Sequence, residues 1–213
     1  GKENLYVWEK TEGMLHEDEA AAILAAACQG ENMYLSEARE GKIEVFADMD
    51  GLLVVDLERL LAINSLEHMM IATRNTFQYV HKGDKLAGSR IIPLVIEEER
   101  MRAVSDIADA ENPILELKPL VRKRAGVVTT GSEVYKGRIK DTFTPVIEEK
   151  LKSFGVRVEL HRVVPDEKEE IAAAIRELKE AGMDVILCTG GMSVDPDDLT
   201  PAAIRDSGAG IVT

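Results

Sequence analysis

The sequence has little of what most metal, disulfide and nucleic-acid sites require. Its 213 residues include two cysteines, four histidines and 4% aromatic residues. Two cysteines, Cys28 and Cys188, do not make a disulfide framework, so we expect a reducing, cytoplasmic environment. Scattered histidines without a CxxC pair argue against a zinc site. The aromatic content is too low to supply base-stacking platforms for single-stranded nucleic acid.

Positive charge is also in short supply. The chain has 26 Lys and Arg against 39 Asp and Glu, which gives a formal net charge of -13. Nucleic-acid and anionic-membrane surfaces need clustered basic side chains, so we expect neither partner. No apolar run approaches the roughly 18 residues of a membrane span, and GKENLYVWEK at the start of the sequence does not resemble a signal peptide. A phosphate-bearing ligand remains compatible, because it needs only a local donor cluster or a metal ion.

Hydrophobic patterning divides the chain into two parts. HEDEAAAILAAACQGEN, with acids at its start and Gly30 near its end, predicts a short helix. From Met33 to Ile96 the pattern indicates a small β-rich domain with a hairpin signal at Asp50 and Gly51. EEERMRAVSDIADAENP predicts a connecting helix. We therefore assign residues 1–112 to a helix, a β-rich domain and a connecting helix, and residues 113–124 to a strand and linker.

From Ala125 onward, apolar strands alternate with helical stretches, so residues 125–213 are predicted to form an α/β domain. The alternation predicts a three-layer structure, a parallel sheet flanked by helices. Ligands of such sheets bind beyond the carboxyl ends of the strands. Apolar spacing predicts the buried faces of two helices: Phe143, Val146, Ile147, Lys150, Leu151 and Phe154 in the first, and Ile171, Ala174, Ile175 and Leu178 in the second.

Each of the three predicted strands ends in a polar turn. The turns are TTGSE, VPDE and CTGGMSVDPDD. Carboxyl ends of neighbouring parallel strands meet at one edge of a sheet, so we expect the acids and glycines of the three turns to face one crevice. Glycines let a ligand approach the backbone, whose N–H groups form an anion-binding concavity. Any one turn alone is equally typical of a tight loop or a helix cap; their convergence favours a site.

Taken as a set, GVVTTGSEVYKGRIKDTF, VVPDEKEEIAAAI and VILCTGGMSVDPDDLTPAAI resemble the molybdopterin-binding domain of the molybdenum-cofactor biosynthesis family. That family has a TG-x-E turn, a D-T at the next helix start, an acidic turn after the second strand, and TGG followed by an acidic segment. The resemblance covers residues 125–213 and implies an α/β fold of the molybdopterin-binding type. The family domain continues for another strand-and-helix unit, so we expect this domain to be truncated at its C-terminal side.

The resemblance also implies roles for individual residues. By motif position, the catalytic acids would be Glu133, Asp166 and Asp198, and Asp166 and Asp198 would hold Mg²⁺, a cation that binds carboxylate and phosphate oxygens together. The ligand would be molybdopterin or molybdopterin-AMP. Related domains form dimers or trimers, which implies a homo-oligomer. The residues implied in cofactor binding are Thr130, Gly131, Ser132, Asp141, Gly190, Gly191 and Ser193.

Three functions stay open on the sequence alone. The protein would bind molybdopterin or its adenylylated form in cofactor biosynthesis or delivery. It would alternatively be a molybdotransferase that inserts molybdate with Mg²⁺-dependent release of AMP, since GGMSV is closer to that form than to the GGTG of adenylyltransferases. The third possibility is a non-catalytic interaction module with a drifted pocket.

His161, in the middle of VELHRV, is predicted to point outward.

Overall fold

Residues 11–109, 112–193, 195 and 198–210 are described by the computed structural model, which divides the chain into two units, Gly1–Leu120 and Val121–Thr213. None of the helices in this described part of the chain combines the length and the apolarity needed to cross a bilayer. Each unit has its own cluster of buried apolar side chains.

In its described residues, the first unit is built from antiparallel sheets and three helices. Its strand orders are β1-β8, β2-β3-β7-β5 and β6-β4-β9. The elements are β1 (Met14–His16), α1 (Glu17–Cys28), β2 (Met33–Leu35), β3 (Lys42–Ala47), β4 (Gly51–Val55), α2 (Leu57–Asn64), β5 (Met69–Thr73), β6 (Gln78–Val80), β7 (Lys85–Ile91), β8 (Val95–Glu97), α3 (Glu98–Ile107) and β9 (Leu115–Lys118).

The hairpin predicted at Asp50 and Gly51 is wrong. β3 and β4, which flank this turn, pair in different sheets: β3 with β2 and β7, and β4 with β6 and β9. The Asp50 side chain accepts a hydrogen bond from the backbone N–H of Lys82 at 2.8 Å, so the turn is anchored to the β6–β7 connection. An Asp-Gly pair permits a reversal of the chain, but it does not decide which strands pair afterwards.

The second unit contains a parallel sheet with the strand order β11-β10-β12. The mixed α/β class is thus confirmed, whereas the other three sheets of the described chain, all in the first unit, are antiparallel. The elements of the second unit are β10 (Arg124–Thr130), α4 (Ser132–Tyr135), α5 (Phe143–Lys152), β11 (Arg157–Val164), α6 (Lys168–Glu180), β12 (Val185–Thr189) and α7 (Thr200–Asp206).

Helix α6 covers one face of this sheet as its apolar spacing predicts. Ile171, Ala174, Ile175 and Leu178 are all buried, and they pack around Val128 of β10. A Cβ at Gly126 would stand 2.7 Å from the Leu178 side chain, so the missing side chain lets helix and strand approach closely.

Helix α5 buries the face that its sequence predicts only in part: Ile147, Leu151 and Phe154 are half-buried. Phe143 and Val146 are 66% and 64% exposed, and the buried residue of this helix is Thr144. Thr144 reaches polar side chains of β10 and β11, so the start of α5 meets the sheet through hydrogen bonds. Apolar spacing cannot predict a helix end that is attached by polar groups.

Candidate functional site

A cavity of about 400 Å³ opens at the carboxyl ends of β10 and β12. This volume lies within the range of small-molecule sites, roughly 300–1,000 Å³. Its wall includes the turns after all three strands of the sheet and the segment that leads into α5. The lining residues are Thr129, Thr130, Gly131, Ser132, Glu133, Val134, Ile139, Lys140, Asp141, Thr142, Phe143, Asp166, Thr189 and Gly190.

The turns after β10 and β11 are joined by Asp166. Its carboxylate accepts a hydrogen bond from the backbone N–H of Ser132 at 2.7 Å. The N–H of Gly131 donates to the carbonyl of Val164 at 3.3 Å. Gly131 has a φ of 141°, a backbone conformation that residues with a side chain rarely adopt. Helix α4 begins directly after it. Glu133 consequently stands in the first turn of α4, at the cavity wall.

The turn after β12 requires glycine. Gly190 has a φ of 88°, and a Cβ there would lie 2.3 Å from the carbonyl oxygen of Thr130. The hydroxyl of Thr200, the first residue of α7, donates to the Gly190 carbonyl at 2.9 Å. This turn therefore packs directly against the end of β10, and its backbone faces the cavity without a side chain in front of it.

Five polar side chains meet where the sheet adjoins the start of α5. Thr129 Oγ1 lies 2.9 Å from His161 Nε2, 3.2 Å from Asp141 Oδ2 and 3.3 Å from Thr189 Oγ1. The Thr144 hydroxyl donates to Asp141 Oδ2 at 2.5 Å and lies 3.2 Å from His161 Nε2. His161 thus faces α5 and is 30% exposed. The prediction that it points outward is wrong.

The Asp141 carboxylate is held in its charged form by these neighbours. Burial acts to raise the pKa of Asp141, but hydrogen bonds from the Thr144 hydroxyl, from the backbone N–H groups of Thr144 and Phe143, and from Thr129 together lower the pKa below its ordinary value. The two backbone N–H groups donate to Oδ1 at 3.1 and 2.9 Å. Asp141 therefore caps the start of α5 and is an ionised acceptor at neutral pH.

A comparison with protein families identifies the second unit. Residues 126–212 match the model of a molybdenum cofactor biosynthesis family described as "Probable molybdopterin binding domain". The second unit carries a domain of the molybdenum cofactor biosynthesis family. The match lies on the β10–α7 region, which contains the cavity, and it agrees with the resemblance of the three strand-end motifs.

The relatives of this family domain are larger proteins. The chain is 43% identical over 86 residues to a CinA-like protein of Citrifermentans bemidjiense, covering 40% of this chain and 20% of the relative. It is 36% identical over 81 residues to a CinA-like protein of Mycobacterium leprae, covering 38% of this chain and 19% of the relative. The chain thus spans about a fifth of the length of these relatives.

Solved structures are similar over a comparable share of the chain. The protein CinA from Thermoplasma acidophilum, described as of unknown function, is 33% identical, with 40% of this chain and 50% of that chain covered and a TM-score of 0.38. The tungsten cofactor synthesizing protein MoaB from Pyrococcus furiosus is 32% identical, with 41% and 54% covered and a TM-score of 0.38.

Seven of the ten predicted site residues of the family domain line one cavity. They are Thr130, Gly131, Ser132, Glu133, Asp141, Asp166 and Gly190. Gly191, Ser193 and Asp198 lie outside its lining. A Cβ at Gly191 would meet the Thr200 hydroxyl at 2.8 Å, so this glycine serves the packing of the turn against α7. Roles in binding or catalysis for all ten residues stay predictions.

Asp198 has an unusual environment. Its Oδ2 atom is buried and finds no hydrogen-bond partner among the described residues. An unpartnered buried carboxylate oxygen is unfavourable, and a cation or a ligand donor would satisfy it. The described residues nevertheless contain no group of three His, Cys, Asp or Glu side chains arranged to hold a metal ion. Of the two other acids of this motif, Asp195 is exposed and Asp197 lies outside the described residues.

Seven lining residues were missed as site residues from the sequence, among them Ile139, Lys140 and Phe143. Lys140 brings a positive charge to the wall, and Ile139 and Phe143 are 52% and 66% exposed apolar side chains at the same wall. All three belong to the quoted GRIKDTF segment. Their positions depend on how Asp141 fixes the chain between α4 and α5, and a lone lysine or phenylalanine in a sequence gives no sign of that.

Proposed function

We propose that the second unit binds molybdopterin, or its adenylylated form, in the cavity at the strand ends. The binding would serve the biosynthesis or delivery of the molybdenum cofactor. The observation that supports this function most strongly is the family match, because its segment supplies all the residues that line the cavity. A cytoplasmic location and assembly into a homo-oligomer are parts of the same proposal.

The lining chemistry suits a ligand with a phosphate at one end and a heterocycle at the other. Gly190 brings backbone without a side chain to the cavity wall, and Lys140 supplies a positive charge that would offset a phosphate. The N–H groups of Gly131 and Ser132 already donate to Val164 and Asp166, so they are not free for the phosphate. Glu133 can accept hydrogen bonds from the amino and ring N–H groups of a pterin. An exposed aromatic ring, Phe143, offers a face on which a planar heterocycle can stack.

Magnesium does not follow from the described residues alone. Asp166 Oδ2 is already engaged by the Ser132 N–H, and Asp198 does not line the cavity that Asp166 lines. The Asp198→Asn variant tests the prediction that Asp198 contacts Mg²⁺ or the pterin. Unchanged ligand affinity with and without Mg²⁺ would leave Asp198 as a residue at the start of α7.

The proposal is tested by binding and turnover with the whole chain. Purified protein is mixed with molybdopterin or molybdopterin-AMP, with and without Mg²⁺ and molybdate, and both binding and AMP release are measured. Binding without AMP release supports a carrier, and molybdate-dependent AMP release supports the molybdotransferase. Failure to bind either pterin would refute the proposal and favour a non-catalytic interaction module.

A charge variant locates the binding to the cavity. Lys140→Ala should weaken the affinity for the phosphorylated ligand by roughly 10- to 100-fold, since a charge-assisted hydrogen bond contributes about 1.5–3 kcal/mol. Lys136→Ala is the matched control, because Lys136 is an exposed lysine at the end of α4 that does not line the cavity. Equal effects of the two variants would mean that the ligand binds elsewhere.

A further inference from the structure

His161 stands behind one wall of the cavity without lining it. The wall is the segment 139–143. It belongs to the connection KGRIKDTF, which leads from the end of α4 to Phe143, the first residue of α5. His161 belongs to β11, and its Nε2 atom lies 2.9 Å from Thr129, 3.2 Å from Thr144 and 3.5 Å from Asp141. The ring therefore contacts the side chains that join the wall segment to the sheet.

Asp141 is the centre of that attachment. A carboxylate offers about four lone-pair positions, and the contacts of Asp141 account for four. Oδ1 accepts from the N–H groups of Phe143 and Thr144, and Oδ2 accepts from the hydroxyls of Thr144 and Thr129. Three of these bonds are local to the wall and α5. The bond from Thr129 is the one that ties the carboxylate to β10.

The Thr129 hydroxyl has a single proton to give, and His161, Asp141 and the Thr144 oxygen all lie within reach of it. If His161 Nε2 lacks a proton, Thr129 donates to the ring at 2.9 Å, and Asp141 loses its bond to β10. If Nε2 carries a proton, the ring donates to Thr129 Oγ1, and Thr129 donates onward to Asp141. The second arrangement keeps the bonds of Thr129 to both His161 and Asp141, and leaves Thr129 and Thr144 in contact without a shared proton. It also avoids facing the Nε2 lone pair toward an ionised carboxylate at 3.5 Å.

We propose that His161 is a positioning residue: its Nε2–H donates to Thr129, which in turn donates to Asp141 and fixes the cavity wall 139–143 against the sheet. Thr189, which donates to Thr129 at 3.3 Å, supplies the other bond that holds the Thr129 hydroxyl in this orientation. The effect of His161 on ligand affinity rests on the proposed pterin function, but its effect on the wall does not.

The first test reads the proton on the ring directly. In the protein without ligand, the ¹⁵N chemical shifts of the His161 ring, measured where the ring is neutral, should show the proton on Nε2. The amide signals of Phe143 and Thr144, whose N–H groups donate to Asp141, should shift in Thr129→Val, which keeps the shape of the side chain and removes its hydroxyl. A neutral ring protonated on Nδ1 would overturn the proposal.

The second test compares two replacements of His161 that differ in hydrogen bonding. His161→Gln retains an N–H near the position of Nε2, and His161→Leu fills similar space without a donor. The amide signals of Phe143 and Thr144 should stay close to wild type in the Gln variant and move in the Leu variant. Because losing a hydrogen bond between neutral groups changes an equilibrium by up to about tenfold, the Leu variant should bind molybdopterin about tenfold more weakly, and the Gln variant within about threefold of wild type.

The two readouts separate this proposal from the proposed function. If wild type binds molybdopterin and His161→Leu binds it equally well with unmoved amide signals, the positioning role is refuted and the function stands. If wild type binds no pterin, the function fails, and the ring tautomer and the amide signals still decide the positioning role. Glu159→Gln is the control, since Glu159 lies two residues earlier on β11 and pairs with Arg124 instead of this cluster.

Discussion

Replacing Gly190 by alanine should destabilise the second unit by more than an ordinary glycine substitution. Gly190 has a φ of 88°, and an added Cβ would lie 2.3 Å from the Thr130 carbonyl oxygen and 2.7 Å from its hydroxyl. The left-handed backbone conformation costs a residue with a side chain about 1–2 kcal/mol. The collision involves backbone, which must move to relieve it, and overpacking of this kind costs about 1–3 kcal/mol more. We expect a total loss of about 2–5 kcal/mol.

The matched control is Gly208→Ala. Gly208 follows α7 with a φ of 90°, nearly the same as that of Gly190, but a Cβ there would meet no atom within 4 Å. The loss of unfolding free energy in Gly208→Ala should be limited to the backbone cost of about 1–2 kcal/mol. The difference between the two variants therefore isolates the contact between the Gly190 turn and the end of β10.

Urea unfolding followed by circular dichroism measures both variants. Gly190→Ala should lower the midpoint clearly more than Gly208→Ala, with little change in the slope of the transition. The same substitution should weaken pterin binding, since Thr130 and Gly190 both line the cavity. Equal midpoints for the two variants would refute the close packing of this turn against β10, and with it the geometry of the cavity.

Three further perturbations test other contacts of the structure. Asp166→Ala removes the acceptor of the Ser132 N–H and should cost about 1 kcal/mol in unfolding free energy, whereas the exposed Glu167→Ala should be neutral; equal losses would contradict the bond. The pKa of Asp141 is lowered in the folded state, so its stabilising effect is present above its ordinary value of 3.8 and is lost as the pH falls below it. The destabilisation caused by Asp141→Asn at pH 7 should therefore shrink in acid, and a pH-independent difference would be contrary evidence. Burial raises the pKa of the Cys28 thiol to about 12, so a thiol reagent at pH 8 should label Cys28 only after unfolding, and rapid labelling of the native protein would show that α1 is not packed as described.

The sequence predicts a helix well where its buried face is apolar throughout and packs on an apolar surface. Ile171, Ala174, Ile175 and Leu178 recur at helical spacing, and all four are buried in α6 because the face they meet is apolar. The turns of the site were predicted for a similar reason, since parallel strands bring their carboxyl ends together wherever they pair. Six of the seven predicted residues that line the cavity lie at or directly after strand ends, and Asp141 was predicted from the family resemblance.

The sequence predicts strand pairing and helix burial poorly where they depend on distant strands or on polar contacts. Asp50 and Gly51 permit a tight turn, but the partners of β3 and β4 are chosen by strands far along the chain. Phe143 lies in the predicted apolar stripe of α5 and is exposed, because the helix start is attached to the sheet by Thr144 and Asp141. The contacts of His161 depend on that same attachment.

The strand order β11-β10-β12 has a consequence for how the second unit forms. β10 comes first of the three strands in the chain and is the central strand of the sheet. Neither of its edges can therefore pair until β11 and β12 have been synthesised. During synthesis, the apolar residues of β10, such as Val127 and Val128, have no strand neighbours until β11 and then β12 emerge. Contacts between strands so far apart in sequence form slowly. The interval before β12 is complete is therefore the period in which this unit is most exposed to misassembly, and the ligand cavity, which needs Thr189 and Gly190, is finished last.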